Sequence, residues 1–417
     1  MNLEVINIQN TGVNIEMPKL PIDKYIYEGL KNTLATFENK EELKYSCSKP
    51  ISVPGGSFPF YCYWDTYFTN LGLIATGQLE QAKNNVENFA EVVLNFGYIP
   101  NAGVEGLVNR SQPPLYIFMV NDYYNATKDT VWLKEQITAV EAEYSFWATK
   151  RTTPIGLNRY YHCATDEYLI SFGKYSVDRI GIKDFDGGDY LNFGINMLSE
   201  AESGWDFNPR FGFECASYAP IDLNCILYGN EMMISNFHMI AGNALAAEKY
   251  KKLAQTRKEL IEKYCFDEQK GQYVDYNFVS GKRSEILSCA SILPYLVGFC
   301  DDKKMLLNLV DLLECEHGIA ACVENDFPYV LQWDYPNMWA NLIYFTIEAL
   351  NKLSLFDRAK VIKNKFKKTV EREYERTENI WEKYDAKLGE VTKHNEYPMT
   401  DMMGWTAGVY AFYSSEK

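Results

Sequence analysis

Three Trp-Asp pairs, Trp64-Asp65, Trp205-Asp206 and Trp333-Asp334, stand in loops bearing Gly or Pro, each ahead of an apolar periodic segment. They belong to a set of five decorated loops. The first runs Pro54-Gly55-Gly56-Ser57-Phe58-Pro59-Phe60-Tyr61-Cys62-Tyr63-Trp64-Asp65. The second holds Ile99-Pro100-Asn101 and then Asn109-Arg110-Ser111-Gln112-Pro113-Pro114. The third is Glu202-Ser203-Gly204-Trp205-Asp206-Phe207-Asn208-Pro209-Arg210, and the fourth is Gln332-Trp333-Asp334-Tyr335-Pro336-Asn337-Met338-Trp339. The fifth is His394-Asn395-Glu396-Tyr397-Pro398, leading to Gly404-Trp405-Thr406. Taken singly, Asp65, Asp206 and Asp334 would each serve as a helix N-cap, accepting backbone N–H bonds. Taken together, the loops hold what a sugar site needs. Carboxylates and amides pair with hydroxyls, and Trp and Tyr faces cover the C–H faces of a ring.

Composition agrees. Aromatic residues make up 15% of the 417, with 31 Tyr and 8 Trp, as a large core with aromatic edges at its surface would have and as a carbohydrate binder would also use. Lys plus Arg is 41 and Asp plus Glu is 56, so 41 − 56 = −15. That balance argues against nucleic acid and against an anionic membrane as partner, because both are gripped by Lys and Arg. A chain 47% hydrophobic and 23% charged is globular rather than disordered or coiled-coil. No stretch reaches the 18 apolar residues of a spanning helix. The ten cysteines are scattered without CxxC pairs, and no secretory signal is visible at the start, so the expected setting is reducing and cytoplasmic. The expected partner is a small oligosaccharide or glycoside; the sequence sets no oligomeric state.

No cofactor and no metal are expected. There is no GxGxxG or Walker loop, and four histidines leave little for a His-built metal site. Asp184-Phe185-Asp186-Gly187-Gly188-Asp189 lacks the continuing ligands of an EF-hand and reads as a turn. Cys315, His317 and Cys322 lack a fourth ligand for zinc.

The elements that must position the loops are helices. Apolar residues recur every three or four positions in Gln78–Phe96, where Leu79, Ala82, Val86, Phe89, Ala90 and Val93 fall on one face. The same period predicts helices near Tyr25–Phe37, Leu115–Asn125, Trp132–Lys150, Leu223–Tyr264 divided about Gly242, Ser284–Cys300, Lys304–Cys315, Met338–Leu353, Asp357–Arg376 and Thr400–Tyr413. Strand alternation is scarce, with Gly271–Val279 the best hairpin arm. Helices joined alternately by short links and long decorated loops suggest helical hairpins closed in a ring, an all-α toroid with its long loops at one mouth. We read residues 1–417 as one domain, with 1–23 an N-terminal arm.

The five loops, in this order, resemble the trehalases, glycoside hydrolase family 37. The segments PGGSFPFYCYWD, IPNAG with NRSQPP, ESGWDFNPRF, PIDLNCILY, QWDYPNMWA, EKYD and NEYP with GWTAGV carry the resemblance from Pro54 to Val409. The related family 63 glycosidases are next closest. What the resemblance implies is an (α/α)6 barrel and an inverting glycosidase acting on an α-linked glucoside, trehalose first among them. It implies that Asp206 is the general acid and Glu396 the general base, with Trp205 and Phe207 desolvating the acid. It further implies that Phe58, Trp64, Asp65, Asn101, Arg110, Gln112, Trp205, Gln332, Trp333, Asp334 and Trp405 line the sugar pocket, while Asp222 and Asn224 brace the acid loop. Trp339 is equally a core wedge or a pocket wall.

The chain also departs from that pattern. Ser57 and Phe60 stand where trehalases have Arg and Glu, and the Arg-Pro-Glu-Ser-Tyr segment expected after Gly156 is replaced by His162-Cys163-Ala164-Thr165-Asp166-Glu167. Two arginines that clamp the disaccharide in that family are therefore missing from their usual places. The subsite for the cleaved sugar is retained and the leaving-group subsite is rebuilt. Another small α-glucoside, such as glucosylglycerate or a different glucose disaccharide, is the alternative substrate. An isomerase or lyase on this fold would rely on His or Tyr, and a sugar-binding protein would not need both carboxylates.

Overall fold

The computed structural model describes residues 21–36, 44–183, 185, 188–392 and 402–415. Fourteen α-helices lie among them, and six form an inner ring: α2 (Tyr63–Ala75), α4 (Tyr116–Thr127), α8 (Ile221–Ala241), the short α10 (Leu293–Leu296), α12 (Ala340–Lys352) and α14 (Gly404–Ser415). Each packs on the next, and α14 closes on α2. An outer helix backs each one: α3 (Leu79–Phe96) on α2, α5 (Thr130–Lys150) on α4 and α8, α9 (Ala244–Cys265) on α8, α11 (Lys303–Leu313) beside the 3-10 turn Cys289–Ile292 that leads into α10, α13 (Phe356–Thr377) on α12, and α1 (Pro21–Asn32) on α14. This is the (α/α)6 barrel.

Burial explains the two rings. The outer α13 buries Ala359, Ile362, Phe366 and Val370, one stripe at helical spacing, and turns its lysines outward. The inner α2 is buried continuously from Tyr63 to Ile74, and α14 from Gly404 to Tyr413. These two pack backbone to backbone: a Cβ on Gly408 would lie 2.1 Å from the Phe68 carbonyl oxygen, so only glycine fits. Gly242, with φ of +85°, ends α8 and lets α9 turn back, which divides Leu223–Tyr264 where expected.

Short links follow the inner helices and long ones precede them. The long links therefore gather at the N-terminal ends of the inner ring, and the first four decorated loops lie in them; His394–Pro398 of the fifth lies outside the described residues. The link between α5 and α8 contains a helical hairpin, α6 (Asp166–Ile180) and α7 (Tyr190–Glu202), which the sequence reading did not anticipate. Asp189 of the calcium-like run caps α7, accepting from the Asn192 N–H at 2.9 Å; Asp184, Asp186 and Gly187 lie outside the described residues.

Some expectations are corrected. Ser284–Cys300 is not one helix: only Cys289–Leu296 is helical, and Gly298, with φ of +82°, turns the chain away just after it. Gly271–Val279 supplies arms to two hairpins rather than one, since Gln272–Tyr273 pairs with Phe266–Asp267 and Tyr276–Asn277 pairs with Lys282–Arg283. Helix α1 starts at Pro21, inside the supposed arm. Met338 and Trp339 are strand, paired with Tyr384 and Lys383.

Candidate active site

Five of the eight tryptophans meet at the mouth. Trp333 is their hub. Its ring stacks on Trp339 at 3.7 Å and lies 5.2 Å from Trp205, 5.5 Å from Trp64 and 6.0 Å from Trp405. Trp64 and Trp405 come from the first turns of α2 and α14, and the others from the third and fourth loops. All five are buried. Trp339, wholly buried behind Trp333, is a wedge and not a wall.

The third loop is held rigidly. The fully buried Arg210 donates from Nε and Nη2 to both Asp275 oxygens, at 3.1 and 2.9 Å, and from Nη1 to Asp222 at 3.0 Å. Its guanidinium lies 4.4 Å from the centre of the Trp205 ring. Glu200 accepts from the Asn208 N–H at 2.9 Å, and the Asn208 side chain donates to the Trp205 carbonyl at 2.6 Å. Glu202 ties three segments together. It accepts two bonds of 2.7 Å from Arg151, one of 2.8 Å from the Ser111 N–H and one of 2.7 Å from the Tyr161 N–H. Between these anchors Gly204 and Phe207 take positive φ, +73° and +60°. Asp206 lies between them, half-buried, while Trp205 and Phe207 on either side are buried. A carboxyl flanked by buried aromatics beside an anchored backbone is suited to holding and delivering a proton.

Charge is concentrated here. Burial, and then the charges of Asp65, Asp206 and Glu382, push the Cys62 thiol well up, with Arg110 pulling the other way. Asp65, Asp206, Arg110 and Glu382 therefore all lie near Cys62. Burial, and then the Glu382 carboxylate, raise Asp65 to about 8, so near neutral pH its protonated form is favoured and the group can donate as well as accept. Burial also holds Glu200 well above the usual carboxylate range, helped by the nearby Asp206. Burial raises Asp334 too, against bonds from Asn325 and the Tyr335 N–H.

Not every predicted residue lies the same way. Gln112 Oε1 accepts from the Trp64 N–H at 3.0 Å, and the Asn101 carbonyl accepts from the Tyr63 N–H at 3.0 Å, so both residues fix the start of α2. Gln332 is buried, its carbonyl accepting from Asn337 at 3.0 Å. Arg110 is buried, donates to Asn109 at 2.9 Å and keeps its Nε without a partner among the described residues. Phe58 stands half-exposed in the Gly55–Phe58 turn, beside Phe60 rather than among the tryptophans. None of the three Trp-Asp carboxylates is an N-cap: Cys62 precedes α2, Trp339 precedes α12, and Asp206 precedes no helix directly. Asp222 braces the acid loop through Arg210, whereas Asn224 instead holds the Asn158 backbone N–H at 2.8 Å. Glu396 lies outside the described residues.

Sequence reasoning missed Glu200, Glu202 and Glu382. The available signal was position: Glu200 and Glu202 precede the acid candidate in the same segment, and Glu382 adjoins the strand that pairs with Met338 and Trp339. No group of three or more metal-ligating side chains occurs among the described residues. The Cys322 thiol donates to the Trp333 carbonyl at 3.5 Å, supporting the aromatic hub.

The sequence profile of the trehalase family matches residues 17–414. Human trehalase is 30% identical over 412 residues, which cover 93% of this chain and 70% of that protein. The periplasmic trehalase of Escherichia coli O1:K1 / APEC is 30% identical over 389 residues, 87% of this chain and 67% of that protein. The chain spans 66% and 62% of the trehalases of Oryctolagus cuniculus and Apis mellifera. The neutral trehalase of Saccharomyces cerevisiae shares the fold with a TM-score of 0.75 at 24% identity, over 96% of this chain and 81% of that one. A family 63 mannosylglycerate hydrolase of Thermus thermophilus shares it with a TM-score of 0.65 at 14% identity, over 94% and 100%. The chain belongs to the trehalase family of glycoside hydrolases.

Proposed function

We propose that the protein hydrolyses trehalose with inversion at the anomeric carbon. The observation that supports this reading is the third loop, where Asp206 stands between buried Trp205 and Phe207 in a segment anchored on either side by Glu200, Glu202 and Arg210. In this mechanism Asp206 gives its proton to the glycosidic oxygen. Glu396 takes a proton from a water, and that water attacks the anomeric carbon from the opposite face. Inverting enzymes keep the two carboxyls about 6.5–9.5 Å apart to admit that water. Protonated Asp65, with Asp334, Arg110 and the tryptophan hub, holds the cleaved glucose. We also propose a reducing, cytoplasmic setting, supported by ten cysteines without paired spacing.

The test is hydrolysis of trehalose, kojibiose, nigerose, maltose, isomaltose, sucrose and glucosylglycerate followed by proton NMR. Trehalose should be preferred, and the first spectra should show α- and β-glucose in equal amounts. Only α-glucose at early times would mean retention and would sink the mechanism. Preference for another member of the panel would sink the substrate.

A further inference from the structure

The hairpin α6–α7 lies in the same long link as the acid loop, and α6 brings two side chains to it. Phe172 and Arg179 are seven residues apart, two turns along one helix face. Phe172 lies 6.0 Å from the Arg110 guanidinium, and Arg179 lies 5.6 Å from the ring of Phe207, the residue after Asp206. Phe172 and Phe207 belong to one hydrophobic cluster, so this face of α6 covers the acid loop.

Arg179 differs from the other arginines among the described residues. Arg151, Arg210, Arg257, Arg358 and Arg376 are each paired with a carboxylate. Arg159, Arg283 and Arg372 donate to backbone carbonyls, and Arg110 donates to Asn109. Arg179 makes no hydrogen bond or ion pair among the described residues, and its Nε is buried without an acceptor. A cation in the last turn of a helix gains from the helix dipole, but that gain does not require stacking on Phe207 or burial of an N–H. A guanidinium over the aromatic ring of the residue that follows the acid, with an unmatched donor, is a fork awaiting an oxygen-rich ligand.

We propose that Arg179 binds the leaving half of the substrate, a second, neutral sugar ring whose hydroxyls accept from the guanidinium. This rests on the trehalose reading and deepens it, because the oxygen protonated by Asp206 departs with that ring. It also supplies a cation to the subsite where Ser57 and the segment after Gly156 lack one.

The test compares two substrates that share the cleaved glucose and differ in leaving group. Trehalose needs the second subsite, whereas α-glucosyl fluoride releases only fluoride. Arg179→Ala should lower kcat/KM for trehalose by about 10- to 100-fold, the scale of one lost charged hydrogen bond, and should change fluoride hydrolysis by less than about threefold. Arg179→Lys, which keeps the charge without the fork, should fall between. If the wild type cleaves trehalose and Arg179→Ala loses both activities equally, or neither, the assignment is wrong while the trehalose reading stands. If the wild type cleaves the fluoride but not trehalose, both are wrong. Thermal unfolding of each variant identifies any that fail to fold, and Arg179→Lys then decides between the same outcomes.

Discussion

Gly204 packs directly on Trp64: a Cβ placed on it would sit 2.6 Å from indole Cε2 and Cζ2, and its φ is +73°. The loop bearing the acid and the first turn of α2 therefore meet with no room for a side chain. Gly204→Ala would carry both the left-handed backbone penalty of about 1–2 kcal/mol and a clash that only movement of Trp64 or of the loop can relieve. Turnover should fall at least about tenfold, because a shift near 1 Å at the reacting groups has that effect or more. Thermal unfolding and glucose release on the same sample check this; an unchanged Tm and rate would refute the tight meeting.

Several buried carboxyls give the protein a definite pH response. Asp65 is raised to about 8, Asp122 to about 7 and Glu143 to about 7, each chiefly by burial. In the unfolded chain such groups ionise near pH 4. Between about pH 4 and 8 the folded state therefore holds more protons than the unfolded state, and stability falls as pH rises through that span. Glu87, Asp267 and Glu314 are lowered, and burial lowers His162 to about 4; these act in the opposite sense, but their contributions are complete once pH exceeds the unfolded values, near 4 for the acids and about 6.5 for the histidine. Tm should decline from pH 5 to pH 9, and Asp65→Asn should flatten the decline. A Tm that rises over this range would contradict the assignment of protonated buried acids.

The Trp333–Trp339 stack, at 3.7 Å and 2° between planes, makes Trp339 the support of the aromatic hub. Truncating a buried Trp costs about 3–5 kcal/mol. Trp339→Ala should lose stability on that scale in urea and should raise KM for trehalose as Trp333 loses its backing. A loss in stability with KM untouched would show that Trp333 is placed by its other neighbours alone.

The outer helices were legible because solvent on one side gives them a period. The stripe Ala359, Ile362, Phe366 and Val370 is visible in the sequence and buried in the structure. Helix α2 was not legible, since Tyr63 through Ile74 are buried on every face and its first turn, Tyr63-Trp64-Asp65, is also the end of a decorated loop. The hairpin α6–α7 was hidden for another reason: it occupies the segment where the resemblance to the family lapses. At the site, the Trp-Asp pairs stood out by their local chemistry. The carboxylates that hold them did not, because a buried Glu is defined by its partner. Glu202 is tied to Arg151, 51 residues earlier, and Arg210 to Asp275, 65 residues later. Neither spacing follows from a local pattern.

The most direct test of the acid and base is to follow trehalose and α-glucosyl fluoride with the Asp206→Asn and Glu396→Gln proteins. Fluoride leaves without a proton, so it needs the base and not the acid. Both variants should lose at least about 100-fold on trehalose. Asp206→Asn should retain substantially more activity on the fluoride, and Glu396→Gln should lose both. Near wild-type hydrolysis of trehalose by either folded variant would contradict the account.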